Sequence, residues 1–287
     1  MGFVSRLVAA LGVAAATLPL AACGGGSAAP ALPAAQPART FSLSGFRADT
    51  PIEAGTPVHV GFTIAQPDGS PLTSYARGSG PHTGVHLLFV RDDLSAIVHH
   101  HPPIAADGSI DDTVSFPEPG RYRMVVDAYP KLAQASLTNF QLFRWVTVTG
   151  KAKTAPLPAY AASQVVDGYR VTIAGTPRLK AVSAAFLTIE VTDRHGRPAH
   201  FTPWYGALAH AIFFRQGSLD YFHTHVCSPG ASGCTSALGG ASVTGTSDTP
   251  GRLRVGVLVP VSGTWRLFLQ TKVAGHVITA PFTLTVG

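Results

Sequence analysis

Charged residues are scarce in this 287-residue chain, at 13% of the sequence, and they form no Lys/Arg run. A nucleic-acid-binding surface needs clustered basic residues, so nucleic acid is not an expected partner despite the net charge of +6. Only two methionines are present, which argues against a methionine-rich Cu(I) site. Beyond the N-terminal region, no stretch is long and apolar enough to span a bilayer.

Recognisable catalytic motifs are missing as well. The sequence has no Gly-x-Ser-x-Gly elbow and no Gly-rich phosphate loop. A three-histidine zinc centre with an open position could hydrolyse a substrate, but no general base or cleft signal accompanies the histidines. We therefore expect a protein that is not an enzyme.

The N-terminal region has the pattern of an export signal. An apolar run follows Arg6 and ends at Leu20-Ala-Ala-Cys23. This ending resembles the bacterial lipobox, which implies that Cys23 is acylated and becomes the mature N-terminus; the alternative is an ordinary signal peptide with an incidental cysteine. We expect a lipoprotein signal peptide over residues 1–22, a flexible tether over 23–38, and a lipid-anchored protein at the extracytoplasmic face of the cell membrane.

The two remaining cysteines begin and end an eight-residue segment, Cys227-Ser-Pro-Gly-Ala-Ser-Gly-Cys234. In an oxidising compartment this spacing favours a disulfide that closes a small loop. The alternative is a thiolate metal site that adjoins His225.

Short alternating strands separated by turn residues predict an all-β protein. Two tandem immunoglobulin-like β-sandwich domains are expected, over residues 39–150 and 169–287, with a linker over 151–168. The second domain repeats the first: Gly263-Thr-Trp-Arg-Leu-Phe-Leu-Gln270 matches Gly120-Arg-Tyr-Arg-Met-Val-Val-Asp127 in register. Tyr122 and Trp265 are then matched core aromatics.

The repeat also duplicates a histidine pattern. His86 opens an apolar run that ends at His99-His-His101, and His210 opens a run that ends at His223-Thr-His225, with identical offsets. A two-residue loop at Asp92-Asp93 would place His86 directly opposite His99. The same reasoning, with a loop at Gln216-Gly217, places His210 opposite His223. Side chains in a strand alternate with period two, so each hairpin would present three imidazoles on one face.

Three imidazoles on one face are a candidate site for a divalent metal, copper or zinc. The sequence predicts two sets of metal ligands. The first is His86, His99 and His101 with the Asp127 carboxylate of the neighbouring strand, and the second is His210, His223 and His225. Asp127 would supply an oxygen ligand or orient an imidazole, and Gln270 is its counterpart. The alternative is a duplicated network of buried histidines that only holds each hairpin together.

The runs His86-Leu-Leu-Phe-Val-Arg-Asp-Asp-Leu, His99-His-His-Pro102 and Pro119-Gly-Arg-Tyr-Arg123 resemble a group of exported actinobacterial proteins. These are tandem β-sandwich proteins similar to YtkA-like domains, often described as secreted or heavy-metal-binding. The resemblance implies metal capture or hand-off at the cell surface. A structural or adaptor lipoprotein that binds another envelope protein is the alternative.

Overall fold

The computed structural model describes residues 40–76, 84–131, 139–238 and 240–287, and within them every regular element is a β-strand. The seven strands of the first half are β1 Ser42–Ala48, β2 Pro57–Ala65, β3 Val85–Arg91, β4 Ile97–His100, β5 Ile110–Ser115, β6 Gly120–Ala128 and β7 Phe140–Val148. They form a three-stranded sheet, in the order β1-β2-β5, and a four-stranded sheet, in the order β4-β3-β6-β7.

The second half repeats this plan with additional strands. Its elements are β8 Ser163–Val166, β9 Tyr169–Ile173, β10 Ala185–Thr192, β11 Phe201–Thr202, β12 Ala209–Arg215, β13 Tyr221–Cys227, β14 Thr235–Leu238, β15 Ala241–Thr249, β16 Arg252–Val257, β17 Gly263–Val273 and β18 His276–Val286. The predicted all-β class and the two tandem immunoglobulin-like sandwiches are confirmed.

The two layers of the second sandwich are joined into one continuous sheet by β15. This strand pairs with β13 in parallel, at Val226 with Gly245, and with β16 antiparallel. The predicted Cys227–Cys234 disulfide is present, with 6.1 Å between the Cα atoms, and ties the end of β13 to the start of the β14–β15 hairpin.

Alternation along β3 shows how the sequence divides its two faces. Val85, Leu87 and Phe89 lie in the core of the first sandwich. The intervening side chains, among them Leu88 and Val90, point out of that sandwich and are nevertheless fully buried. They are buried because the corresponding face of the second sandwich packs against them, through residues such as Ile212 and Phe214 of β12. Both faces of β3 and of β12 are therefore apolar, as in a strand covered on both sides.

Matched core residues show the repeat at atomic detail. Tyr122 and Trp265 are both fully buried, as predicted. The Tyr122 hydroxyl donates to the Glu118 carbonyl at 2.9 Å, and the Trp265 indole N–H donates to the Val261 carbonyl at 3.0 Å, each four residues upstream. A tyrosine that bonds back to the preceding backbone at the start of this strand is typical of immunoglobulin-like sandwiches.

The backbones of β13 and β15 can approach closely because Gly245 has no side chain. A Cβ atom at this position would overlap the backbone carbonyl oxygen of His225. We expect Gly245→Ala to lower the free energy of unfolding by about 1–3 kcal/mol, because the two backbones would have to separate. Chemical denaturation measures the effect, with Ser242→Ala on the exposed side of the same strand as the control. An unchanged stability would show that the junction is not tightly packed.

Candidate metal centre

The six repeated histidines converge between the two sandwiches. His86 lies on β3, His99 on β4 and His101 just beyond it, while His210 lies on β12 and His223 and His225 lie on β13. All project from the faces that pack against each other, beside the apolar contact of Leu88 and Val90 with Ile212 and Phe214. His101 is half-buried, and the exposed fractions of the other five are 8% or less.

The predicted hairpin register is wrong by two residues in both halves. His99 pairs with Leu88, and His225, not His223, pairs with His210. Each loop has four residues instead of two, since the Arg91 amide bonds to the Ala96 carbonyl and the corresponding bond of the second half joins residues 215 and 220. In the first loop, Leu94 takes a positive φ and is buried in the contact between the sandwiches. A shift of two residues preserves the face of every side chain, so the three histidines of each hairpin still lie together.

The structure groups the six histidines differently from the prediction. One trio is His86, His223 and His225, and the other is His99, His101 and His210; within each trio the candidate ligand atoms lie within 4.8 Å of one another. Each trio therefore combines both halves of the chain, whereas the sequence predicted one set per hairpin. The two trios meet at His210 and His223, whose Nδ1 and Nε2 atoms are 3.4 Å apart.

Hydrogen bonds to oxygen atoms of neighbouring residues set the tautomers of three of the histidine rings. His99 Nδ1 lies 3.0 Å from the Gln270 side-chain oxygen, and His210 Nε2 lies 2.9 Å from the Trp204 carbonyl oxygen. His86 Nδ1 lies 3.4 Å from the Asp127 carboxylate. These oxygens accept hydrogen bonds, so each of the three nitrogens carries the proton. The other nitrogen of each ring then carries a lone pair, which is the tautomer that metal-binding histidines require.

The spacing between the Nε2 atoms of His99 and His101 fits tetrahedral coordination. His99 Nε2 and His101 Nε2 are 3.2 Å apart. Two ligands at about 2.0–2.1 Å from a tetrahedral zinc ion are separated by about 3.3–3.4 Å. With three nitrogens, each trio also leaves one coordination position for another ligand.

Asp127 orients His86 and is not a member of either trio. β6 lies beside β3, as predicted, and pairs Asp127 with His86. The carboxylate accepts further hydrogen bonds from four side chains: Tyr129, Asn139, Gln141 and Tyr221. Burial raises the pKa of Asp127, but the hydrogen bonds from His86, Gln141 and Asn139 and the electrostatic attraction of the His86 ring outweigh this effect and hold the pKa below its ordinary value. Tyr221 comes from the second half, so this network too joins the sandwiches.

Gln270 has a role across the interface that the repeat alone did not reveal. Its backbone pairs with His210 in the second half, as the predicted neighbouring strands require. Its side chain instead reaches His99 of the first half, and its amide nitrogen donates to Thr279 at 3.1 Å. The counterpart of Asp127 therefore orients a histidine of the opposite half.

Trp204 and Tyr205 were not identified as site residues from the sequence. The Tyr205 ring stacks on His101 at 4.1 Å with an interplanar angle of 7°, and the Trp204 ring lies 5.1 Å from His210. The turn between Trp204 and Ala207 holds both aromatics over this trio, with Tyr205 at a φ of 48°. The sequence signal was the aromatic pair itself, six and five residues before His210.

Burial keeps at least two of the imidazoles neutral. The pKa of His99 lies well below 6.5, chiefly because of desolvation and then because His210 and His86 are near. The pKa of His223 also lies well below 6.5, chiefly because of desolvation and then because of the electrostatic effect of His225. Neutral imidazole is the form that binds metal.

Stability of the metal-free protein is expected to fall in mild acid. The unfolded chain takes up protons on His99 and His223 as the pH falls through about 6.5, while the folded chain does not, so stability is full above this pH. Below it, unfolding becomes easier by about 1.4 kcal/mol per pH unit for each group, until the lowered pKa of the folded state is reached. Denaturation with a chelator present, from neutral to acidic pH, measures the slope. We expect His223→Gln to reduce the slope and exposed His276→Gln to leave it unchanged; equal slopes in all three proteins would contradict this account.

His100, between His99 and His101, belongs to neither trio. Its Nδ1 bonds to Asp112 at 2.8 Å.

Cys23, the signal peptide and the tether lie outside the described residues, so acylation and export remain predictions. Within the described part of the chain, no helix is long and apolar enough to cross a membrane.

Comparisons with known proteins identify a family without a known activity. The sequence model of one family matches the chain twice, over residues 41–156 and 164–287, and is described as Domain of unknown function (DUF8832). These two matches confirm the internal repeat. Among curated proteins, none matches the chain. The resemblance to YtkA-like domains remains a prediction.

Solved structures resemble the chain only distantly. Bacterial invasin, an integrin-binding protein, is 14% identical with a TM-score of 0.24, covering 86% of this chain and 39% of its own. A tetra-tandem repeat from the extending region of a large adhesion protein is 11% identical with a TM-score of 0.27, covering 86% and 50%. Domains 4 and 5 of the S-layer protein SbsC are 11% identical with a TM-score of 0.21, covering 85% and 98%. This chain thus spans half or less of the first two proteins. The two matches of the family model show that the chain belongs to the DUF8832 family and carries two copies of its domain.

Proposed function

We propose that this protein is a lipid-anchored, extracytoplasmic protein that binds a divalent metal, copper(II) or zinc, at a histidine cluster shared by its two domains. The observation that carries the proposal is the pair of trios in which imidazoles from both halves face each other within 4.8 Å. Each trio would bind one ion. The role is capture and hand-off of metal at the cell surface, not catalysis.

The chemistry of the cluster supports copper(II) or zinc. All six donors are imidazoles, which suit these ions better than magnesium or calcium, whose preferred ligands are oxygens. Carbonyl and carboxylate oxygens behind His86, His99 and His210 hold three of the rings in a ligating tautomer. The resemblance to YtkA-like, heavy-metal-binding proteins agrees with this assignment.

Calorimetric titration of the soluble protein, without residues 1–38, tests the proposal. We expect micromolar or tighter binding of Cu(II) or Zn(II), with two ions per chain. His99→Ala and His101→Ala should each remove one ion, and His276→Ala, which changes an exposed histidine outside the cluster, should remove none. No heat of binding in the unmodified protein would refute metal capture.

A structural role is the second candidate, and one observation favours it. The same interface contains an apolar cluster and direct hydrogen bonds between the halves, including those of Tyr221 with Asp127 and Gln270 with His99. If the histidines serve only to join the sandwiches, His99→Ala will lower the melting temperature while added metal has no effect on either protein. The chain would then be an adaptor that binds another envelope protein.

A further inference from the structure

A cavity of about 640 Å³ opens on one side of the histidine cluster. Its wall includes Asp127 of the first half and Tyr221, His223, Ser236 and Leu238 of the second half. The β14 strand, part of the excursion that follows the disulfide, thus closes one side of a space that lies between the sandwiches. The cavity has ample volume for a metal ion together with a small ligand.

His223 connects this cavity to the cluster. It lines the cavity and also belongs to the trio with His86 and His225. Its Nδ1 is buried and has no hydrogen-bond partner among the described residues, while its Nε2 is 3.4 Å from His210 Nδ1. A buried ring nitrogen without a partner is costly unless a ligand satisfies it. This trio therefore has both an unsatisfied ring nitrogen and an adjacent open space.

The other trio is covered by aromatic rings. Tyr205 stacks on His101, and Trp204 lies 5.5 Å from His99 and 5.1 Å from His210 between ring centroids. His101 is the half-buried member of this trio, and Tyr205 covers one face of its ring. An ion in this trio would leave only after the turn that carries the two aromatics had moved.

We propose, on the basis of the metal-binding function above, that the two ions are inequivalent. The ion held by His86, His223 and His225 exchanges through the cavity and keeps one coordination position there for a small exogenous anion or chelating ligand. The ion held by His99, His101 and His210 is retained beneath Trp204 and Tyr205. Each trio has three protein ligands and one remaining position, but only the trio of His223 adjoins the cavity, whereas Trp204 and Tyr205 cover the other.

Metal release to a chromogenic chelator tests the inequivalence. We expect the zinc-loaded protein to release one ion quickly and one slowly, with the fast phase absent in His225→Ala and the slow phase absent in His101→Ala. Leu238→Trp, which narrows the cavity, should slow the fast phase about tenfold, and Leu238→Ala should accelerate it. Ser242→Trp, at an exposed position of the same hairpin, should change neither phase.

The aromatic cover provides a second, independent variant. Tyr205→Gly removes the ring, and glycine accepts the positive φ of this turn without strain, so the fold should survive. It should accelerate the slow phase only, while Tyr205→Phe should leave it unchanged.

Azide provides the test of the open position. On the copper-loaded protein it should produce one charge-transfer band, saturating at one azide per two copper ions, and this band should be lost in Leu238→Trp. Two ions released at one common rate that Leu238→Trp and Tyr205→Gly do not alter would overturn the inequivalence while leaving metal binding intact. A protein that takes up no metal at all would overturn the function on which it depends.

Discussion

Replacing His210 with alanine should release the ion bound by His99 and His101, although His210 lies in the other half of the chain. We expect the affinity for this ion to fall at least about 100-fold, since a three-imidazole site loses one ligand and the remaining rings lose their geometry. The second ion, held by His86, His223 and His225, should remain bound. Titration with copper(II) or zinc, followed by metal analysis, measures the change.

Double substitution distinguishes this arrangement from one site per hairpin. His99→Ala and His210→Ala together should do no more than either alone, because both remove the same ion. His99→Ala with His86→Ala should remove two ions, although both residues belong to one hairpin. The reverse outcome, in which the pair from one hairpin removes one ion, would contradict the shared trios.

Metal should strongly stabilise the fold, because each ion connects the two sandwiches. A ligand at about 1,000 times its Kd adds about 4 kcal/mol to the free energy of unfolding. For a unit of this size the melting temperature should rise on the order of 10 °C for each ion. The loaded protein should unfold in a single transition, since neither half can leave its partner while the ions are bound.

Scanning calorimetry with and without metal measures this stabilisation. The matched control is the double variant His99→Ala with His225→Ala, which lacks one ligand of each trio and should show little metal-dependent shift. A shift of the same size in this variant would mean that metal stabilises the protein elsewhere. Two separate transitions in the loaded protein would mean that the ions do not join the halves.

The face of each histidine could be predicted from the sequence, whereas its partners could not. Period-two alternation places His86, His99 and His101 on one face whatever the exact register, so a two-residue error in the loop had no consequence for that face. The loop error arose at Leu94, which the sequence reading placed in a strand and which is instead buried in the contact between sandwiches. Local turn chemistry carries no information on such a distant contact.

The grouping of the histidines into trios could not be predicted from the sequence for a similar reason. The side chains on both faces of β3 and β12 are mostly apolar, so the sequence does not indicate which face packs inside its own sandwich and which packs against the other sandwich. Only the packing of the two sandwiches brings Gln270 to His99 and Tyr221 to Asp127. The repeat favoured a grouping that differs from that of the structure, because duplicated motifs suggest duplicated, independent sites.

Anomalous diffraction from crystals of the metal-loaded protein tests the central claim most directly. We expect two peaks between the sandwiches, one coordinated by His86, His223 and His225 and the other by His99, His101 and His210. A peak whose imidazole ligands all come from one hairpin, or a histidine cluster that stays empty at saturating metal, would contradict the account.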